Sequence, residues 1–233
     1  AGFNAQDLKA AQAAAAALLA YAEHTQGQAL AHVTTLQVEQ ASDLIALPPA
    51  TQRNLELTQT LRGEDAPTLL SLIDTCASGM GSRALRQWLL RPLRERGVAL
   101  QRHEAIAALL EARAVEPLRS ALRGVSDVER ITARIALRQV RPRELAGLRT
   151  TLAALPALRA CVPAEAPGAQ SAPLLAELAQ ALAVPPEVGA LLASAIADEP
   201  AVLLRDGGVI APGFDTELDE LRAISQNCDA FLL

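Results

Sequence analysis

The stretch SDVERITARIALRQVRPRELAGLRTTLAAL, residues 126–155, decides the fold prediction, because each of its halves has the start signal and the spacing of an α-helix. In the first half, Ser126 and Glu129 form the pattern of a capping box. In the second half, Pro142 stands where the first helical residue is expected. Apolar residues recur every three or four positions, as a buried helix face requires. They are Val128, Ile131, Ile135, Leu145, Leu148, Leu152 and Leu155.

The composition of the whole chain extends this prediction beyond the opening stretch. Of 233 residues, 51% are hydrophobic but only 2% are aromatic, so the core must consist of Leu, Ala, Val and Ile. Ala and Leu have the highest helix propensities. We therefore predict a mainly all-α protein, a bundle of long helices that is large enough to fold without a disulfide or a metal.

Two segments have the pattern of extended chain. The alternation in HVTTLQVEQASDLIALP predicts a short β-hairpin near residues 33–47, whose strands are joined around residues 40–43. A second extended segment, with a tight glycine turn, is predicted near residues 202–211, where residues 202–204 and 209–210 form the two arms.

The sequence RDGGVIAPGFDTELDELR, residues 205–222, raises the question of a phosphate-binding loop. A P-loop needs Lys and Ser or Thr directly after its last glycine, but apolar residues follow both glycine positions here. The acids that open the next helix would also repel a phosphate. We therefore predict a turn followed by a helix cap. The turn residues are Asp206, Gly207, Gly208 and Gly213, and the cap is Asp215 or Thr216.

No pattern of a catalytic, cofactor or metal site is found in the sequence. The three histidines, His24, His32 and His103, have neither a cysteine nor paired carboxylates beside them. GxSxG, HExxH and Rossmann patterns do not occur. We predict that this chain is not itself an enzyme.

Cysteine spacing and hydropathy bear on the location of the protein. Cys76, Cys161 and Cys228 are too far apart for a zinc-ligand pattern, and scattered thiols favour a reducing compartment. The alanine-rich run at residues 10–22 is shorter than the about 20 apolar residues that span a bilayer. We expect a cytoplasmic protein with no membrane partner.

Two arginine clusters, within residues 81–102 and 130–149, contain candidates for weak contacts with a DNA backbone. The net charge of −5 argues against a domain that mainly binds phosphates. In the second cluster, however, three arginines four residues apart form one helical ridge. The alternative is a solvated helix face that pairs with acids, which the lack of interleaved aromatic residues favours. The candidates are Arg83, Arg86, Arg130, Arg134 and Arg138.

Taken in order, several segments resemble the MutS family of DNA mismatch-repair ATPases. YAEHTQGQALAHVTTL, residues 21–36, is similar to the end of that family's connector domain. The motifs RNLE, TLL, GSR, WL and PL, within residues 51–63 and 68–93, are similar to the opening of its core, or lever, domain. Residues 125–149 and 198–222 resemble the next two signatures. The resemblance covers essentially the whole chain.

The resemblance implies a domain assignment and a role. Residues 1–32 would be the C-terminal tail of the connector domain. Residues 33–233 would be the first pass of the core domain, truncated at the start of the clamp arm. The family's P-loop and its Phe-x-Glu mismatch reader do not occur here. We thus expect no cofactor in this fragment, and ATP with Mg in the full-length protein. The implied function is a structural and allosteric lever that couples the nucleotide state to the DNA clamp and to mismatch recognition.

The resemblance also implies partners of the full-length protein: mismatched double-stranded DNA, a second copy in a homodimer, and a MutL-type repair protein. The alternative is a stand-alone helical interaction module with no DNA role. Since truncation would remove the returning helices, we expect the last apolar stripe to lack part of its burial. That stripe consists of Leu218, Leu221, Ile224, Cys228 and Phe231.

Overall fold

The computed structural model describes residues 9–26, 33, 35, 41–163 and 172–226. The chain divides into two compact units. The first contains residues 1–76 and 81–99, and the second contains residues 77–80 and 100–233. Within the described residues almost all regular structure is helical, which confirms the prediction of a mainly all-α protein.

The first unit contains short helices joined by tight turns. Leu57 and Thr68 are buried in it. The hydroxyl of Thr68 accepts a hydrogen bond from the amide of Ser71 at 3.1 Å, and the hydroxyl of Ser71 accepts one from the amide of Thr68 at 2.8 Å, which starts a helix with a capping box. The last two of the helices named below have residues in both units. The helices are α1 (Lys9–Gln26), α2 (Pro49–Asn54), α3 (Leu69–Ile73), α4 (Gly79–Leu90) and α5 (Arg96–Glu111).

The second unit is arranged around one central helix, α8, which packs against α6, α7 and α10. Pro142 is the first residue of α8, as the sequence predicts. A separate buried cluster joins α5 to α9 through small side chains, among them Ala105, Ala108 and Leu175. The helices are α6 (Val115–Arg123), α7 (Val128–Ala136), α8 (Pro142–Ala160), α9 (Pro173–Ala181), α10 (Pro186–Ala195) and α11 (Thr216–Gln226).

The start of α7 differs from the prediction by one residue. Its N-cap is Asp127, whose carboxylate accepts a hydrogen bond from the amide of Arg130 at 3.3 Å. Ser126 lies one residue before this cap, and its amide donates to the hydroxyl of Thr151 on α8 at 2.9 Å. A tertiary hydrogen bond therefore fixes Ser126 just outside the helix.

The predicted β-hairpin near residues 33–47 is not supported. Residues 34 and 36–40, which include most of its first strand, lie outside the described residues. Residues 41–43 form a 3₁₀ turn, and Leu44 makes an isolated antiparallel bridge with Leu93. The amide of Ile45 donates to the carbonyl of Pro92 at 2.8 Å. The apolar run that resembles a second strand thus pairs with the chain that follows α4.

The extended turn predicted near residues 202–211 is only partly correct. Residues 204–206 form a 3₁₀ turn rather than a strand arm. Ile210 is extended, but it makes its antiparallel bridge with Ile196, directly after α10. The arm at 209–210 therefore pairs with the chain directly after α10, and not with residues 202–204 on the other side of the glycine turn.

One stretch, residues 173–195, is long enough and apolar enough to cross a membrane, with a mean hydropathy of 1.3. It consists of α9 and α10, which are separated at residues 182–185 and turn about Pro185 and Pro186. An interrupted apolar stretch of this kind is weak evidence for a membrane span, because core helices of other proteins have the same length and composition. The absence of a membrane partner stays a prediction.

Candidate functional site

Arg149, in the middle of α8, is the side chain that fixes the chain leaving α10. Its side chain is only 17% exposed. The guanidinium donates to the carbonyls of Ile196 at 2.6 Å, Ala197 at 3.4 Å and Asp198 at 3.3 Å. Carbonyls at a helix C-terminus have no intrahelical donor, so a buried guanidinium is a suitable partner. The contact with the carboxylate of Asp198 adds little, since that side chain is fully exposed.

A small antiparallel bridge connects this segment to the residues before α11. The amide of Ala197 donates to the carbonyl of Val209 at 2.9 Å, and the amide of Ala211 donates to the carbonyl of Ala195 at 2.8 Å. Ile196 and Val209 are buried. The bridge closes a loop over residues 197–209, whose turn contains Gly207 with φ 73° and Gly208 with φ 65°. These two values favour glycine, as the sequence predicts for this turn.

Charged side chains cap α11 and attach its first turns to the segment that precedes it, residues 210–213. The carboxylate of Asp215 accepts a hydrogen bond from the amide of Leu218 at 2.9 Å, which is the geometry of an N-cap. Asp219 accepts one from the amide of Gly213 at 2.6 Å and pairs with Arg222 at 3.0 Å. Arg222 also donates to the carbonyl of Ile210 at 2.9 Å. We call Arg149, the Ile196–Ile210 bridge, Asp219 and Arg222 the α11 joint.

Sequence reasoning did not single out Arg149 or Arg222 as members of this joint. Arg149 lay within the second arginine cluster, and only its position beside Leu148 and Leu152 indicated a buried side of the helix. For Arg222 the sequence contained one signal: it follows Asp219 by three residues on a predicted helix, a spacing that favours an ion pair.

The structure separates the five arginines that are candidates for DNA contacts. Arg83 and Arg86 lie on α4 in the first unit, while Arg130, Arg134 and Arg138 lie in the second unit. The candidates therefore form two groups, one in each unit. Arg83 is half-buried and Arg86 is exposed.

The predicted ridge of three arginines on one helix is wrong, because α7 ends at Ala136. Arg138 follows with φ 54°, and its amide and that of Gln139 donate back to the carbonyls of Ile135 and Arg134. This is a Schellman ending with arginine in the position that usually holds glycine. Arg138 therefore leaves the direction of the α7 axis.

The other two arginines of this group face carboxylates. Arg130 pairs with Asp127 at 3.4 Å and is largely exposed, so this pair contributes little to stability. Arg134 contacts Glu144, whose other oxygen accepts a hydrogen bond from the amide of Arg141 at 2.9 Å. Glu144 thus joins the last turn of α7 to the first turn of α8. In the described part of the chain, Arg138 faces no carboxylate.

Asp74 forms a similar local joint in the first unit. Its carboxylate accepts hydrogen bonds from the amide of Cys76 at 3.2 Å and from the hydroxyl of Ser82 at 3.0 Å. The bond from the Cys76 amide, followed by that from Ser82, lowers the pKa of Asp74 below its ordinary value. The ionised carboxylate therefore connects the end of α3 to the second turn of α4.

Among the residues that the structure describes, no group of three or more His, Cys, Asp and Glu side chains could hold a metal ion. The arrangement at the α11 joint consists of guanidinium, carboxylate and backbone groups that are already hydrogen-bonded to one another. Its chemistry is therefore that of a structural connection.

A comparison with protein families identifies the origin of this arrangement. Residues 50–232 match the model of MutS domain III. The chain belongs to the MutS family. The match begins one residue into α2 and includes every helix from there to α11, together with the whole α11 joint.

Several residues of the motifs that resemble MutS proteins have structural tasks in this chain. Glu56 takes φ 47° where α2 ends, and its carboxylate accepts a hydrogen bond from the amide of Leu61 at 2.7 Å. Thr68 caps α3, and Ser82 binds Asp74. Leu93 makes the bridge with Leu44. These MutS motifs therefore mark the turns and contacts that connect helices.

Proposed function

We propose that this chain is the structural and allosteric lever segment of a DNA mismatch-repair ATPase. The observation that carries the proposal is the match to MutS domain III across the helical part of the chain. In this role the segment transmits the nucleotide state of a distant ATP and Mg site to a DNA clamp and to mismatch recognition. It contributes neither the ATP site nor the mismatch reader.

The arrangement of the second unit supports a mechanical role. One 19-residue helix, α8, contacts α6, α7 and α10, and its Arg149 also holds the chain after α10. A displacement of α8 would therefore reach several elements at once. Allosteric coupling requires such an element to have different contacts in two states of the complete protein.

The same proposal assigns domains and partners. Residues 33–233 are the first pass of the core domain, and residues 1–32 are the tail of the connector domain. In the complete, cytoplasmic protein the partners are mismatched duplex DNA, a second copy and a MutL-type protein. The arginines add weak, sequence-independent contacts with the DNA backbone, and they are Arg83, Arg86, Arg130, Arg134 and Arg138.

The test of the proposal compares two insertions in the complete product of the gene that encodes this chain. A four-residue Gly-Ser insertion after Pro212 separates α11 from the Ile210 carbonyl that Arg222 binds. The same insertion after Gly207 lengthens an exposed turn and leaves that contact in place. We measure the factor by which ATP, relative to ADP, changes the affinity for mismatched DNA.

The insertion after Pro212 is expected to reduce this coupling factor toward one, and the insertion after Gly207 is expected to keep it. By linkage, mismatched DNA must change ATP affinity by the same factor as ATP changes DNA affinity. If wild-type protein shows no coupling between ATP and DNA, the lever proposal is wrong.

The rival proposal, a stand-alone helical interaction module, has one observation in its favour. Leu221 and Ile224 on α11 are 56% and 60% exposed, and exposed apolar surface often marks a protein contact. The described part of the predicted stripe is therefore incompletely buried, while Cys228 and Phe231 lie outside the described residues. A partner that binds this stripe, combined with no response to ATP or DNA, would support the module.

A further inference from the structure

We propose that Arg149 and Arg222 are paired positioning residues that fix the direction of α11 relative to α8. Both guanidiniums bind backbone carbonyls of the loop that leads from α10 to α11. The contacts lie in series: α8 holds residues 196–198, the bridge holds residues 209–211, and Ile210 holds α11.

Helix packing does not supply this direction. Among the described helices, the extensive helix–helix contacts all involve α8, and none involves α11. The apolar side chains of Leu221 and Ile224 are mostly exposed, so they contribute little to fixing the helix. A helix with so little apolar packing would change direction freely about its connecting loop.

The polar contacts of the α11 joint have the geometry to replace that packing. From a largely buried position, Arg149 donates hydrogen bonds to three successive carbonyls. Because the guanidinium is planar and its donors have fixed directions, these three hydrogen bonds restrict its orientation. Arg222 is held on α11 by Asp219, whose second oxygen binds the amide of Gly213. The guanidinium is therefore already oriented when it meets the carbonyl of Ile210.

The distance between α8 and α11 in the chain of 233 residues tests this inference directly. Spin labels are attached at Ala157→Cys on α8 and Ala223→Cys on α11, two exposed helical positions. Cys76, Cys161 and Cys228 are replaced by serine. Double electron–electron resonance then gives the distance distribution, and circular dichroism reports the helix content.

Arg222→Gln is expected to broaden the distribution about twofold at unchanged helix content, because α11 then samples several directions. Arg149→Gln is expected to broaden it less, since α10 also packs on α8. Arg149→Lys should restore a narrower distribution than Arg149→Gln, because an ammonium can still donate to carbonyls.

Two arginines provide matched controls. Arg159 is exposed on α8, and Arg205 is exposed on the loop, where it pairs with Asp206 at 3.7 Å. Arg159→Gln and Arg205→Gln should leave the distribution unchanged. A wild-type width in Arg222→Gln, or equal broadening in the control variants, overturns the inference. If Arg149→Gln loses helix content, Arg222→Gln alone decides the question.

The inference rests on the proposed function only for the use that the complete protein makes of a fixed α11. The distance measurement needs neither DNA nor ATP. A rigid joint in a protein without ATP–DNA coupling would leave the inference intact and contradict the lever. A loose joint in a protein that shows ATP–DNA coupling would contradict the inference and leave the lever proposal intact.

Discussion

Thr151 shows how one buried hydroxyl connects two helices. Its side chain is 1% exposed, accepts a hydrogen bond from the amide of Ser126 at 2.9 Å, and donates one to the carbonyl of Gly147 at 2.9 Å. The first bond satisfies a backbone amide just before α7, and the second attaches the hydroxyl to α8. Removing this hydroxyl would leave a poorly solvated amide without a partner.

Thr151→Val is therefore expected to lower the free energy of unfolding by about 1–3 kcal/mol, because the shape is kept while the Ser126 amide loses its acceptor. The matched control is Thr150→Val on the same helix. The Thr150 hydroxyl donates to the carbonyl of Ala146 at 3.1 Å, but the side chain is exposed. Its replacement should cost less than about 0.5 kcal/mol. Equal losses for the two variants in urea unfolding would contradict this account.

At the residue scale, caps are predictable from sequence when their partners are local. Thr68 and Ser71 are three residues apart, and the structure contains their capping box. Ser126 had an equally good local pattern, but its amide binds Thr151, 25 residues away. A sequence pattern contains no information about which distant hydroxyl will accept the hydrogen bond from the amide of a predicted cap residue.

At the scale of single helices, the two glycines within α8 and α10 differ in what surrounds them. A Cβ added at Gly147 would lie 2.7 Å from the hydroxyl oxygen of Ser126, whereas one added at Gly189 would meet no atom within 4 Å. Alanine is favoured over glycine inside a helix by about 0.5–1 kcal/mol. The environment therefore decides the sign of each substitution.

Gly189→Ala is expected to raise the free energy of unfolding by about 0.5–1 kcal/mol, since only the helix propensity changes. Gly147→Ala should gain none of this, because the hydroxyl of Ser126 must rotate away from the added methyl group. Thermal unfolding of the two variants gives the comparison. A Gly147→Ala variant as stable as Gly189→Ala would show that Ser126 rotates without cost.

Helix ends are harder to predict from this sequence than helix starts, for a physical reason. Three helices end in the left-handed region at residues other than glycine, namely Glu56, Arg113 and Arg138. The amides of each of these residues and of the one after it donate back into the last turn. Glycine is the sequence signal for such an ending, and it is missing at all three positions. Helix α2 therefore ends at Asn54 without a glycine signal in the sequence.

At the scale of the whole molecule, composition predicted the fold class, but periodicity could not predict which helix faces are covered. Leu148 and Ile131 are buried as expected, whereas Ile135 is 40% exposed. A helical repeat identifies an apolar face, and only the tertiary arrangement determines what packs against it. For the same reason the α11 joint was not predicted, since Arg149 and Ile196 are 47 residues apart.

The charge distribution leads to a last prediction, about DNA binding by the 233-residue chain. A net charge of −5 limits binding to weak and strongly salt-dependent contacts with the backbone. A guanidinium that already faces a carboxylate cannot neutralise a phosphate without breaking its pair. Arg138, which faces no carboxylate in the described part of the chain, should therefore contribute more than Arg134, which contacts Glu144.

Arg138→Gln is expected to weaken binding to a fluorescent duplex and to reduce the salt slope by about one, while Arg134→Gln changes the slope less. Both substitutions remove one positive charge, so they control for net charge. Matched and mismatched duplexes should bind with the same affinity, because backbone contacts contain no base readout. An unchanged salt slope in both variants would show that these arginines are only solvated side chains. A preference for mismatched duplex would show that another part of this chain reads the bases.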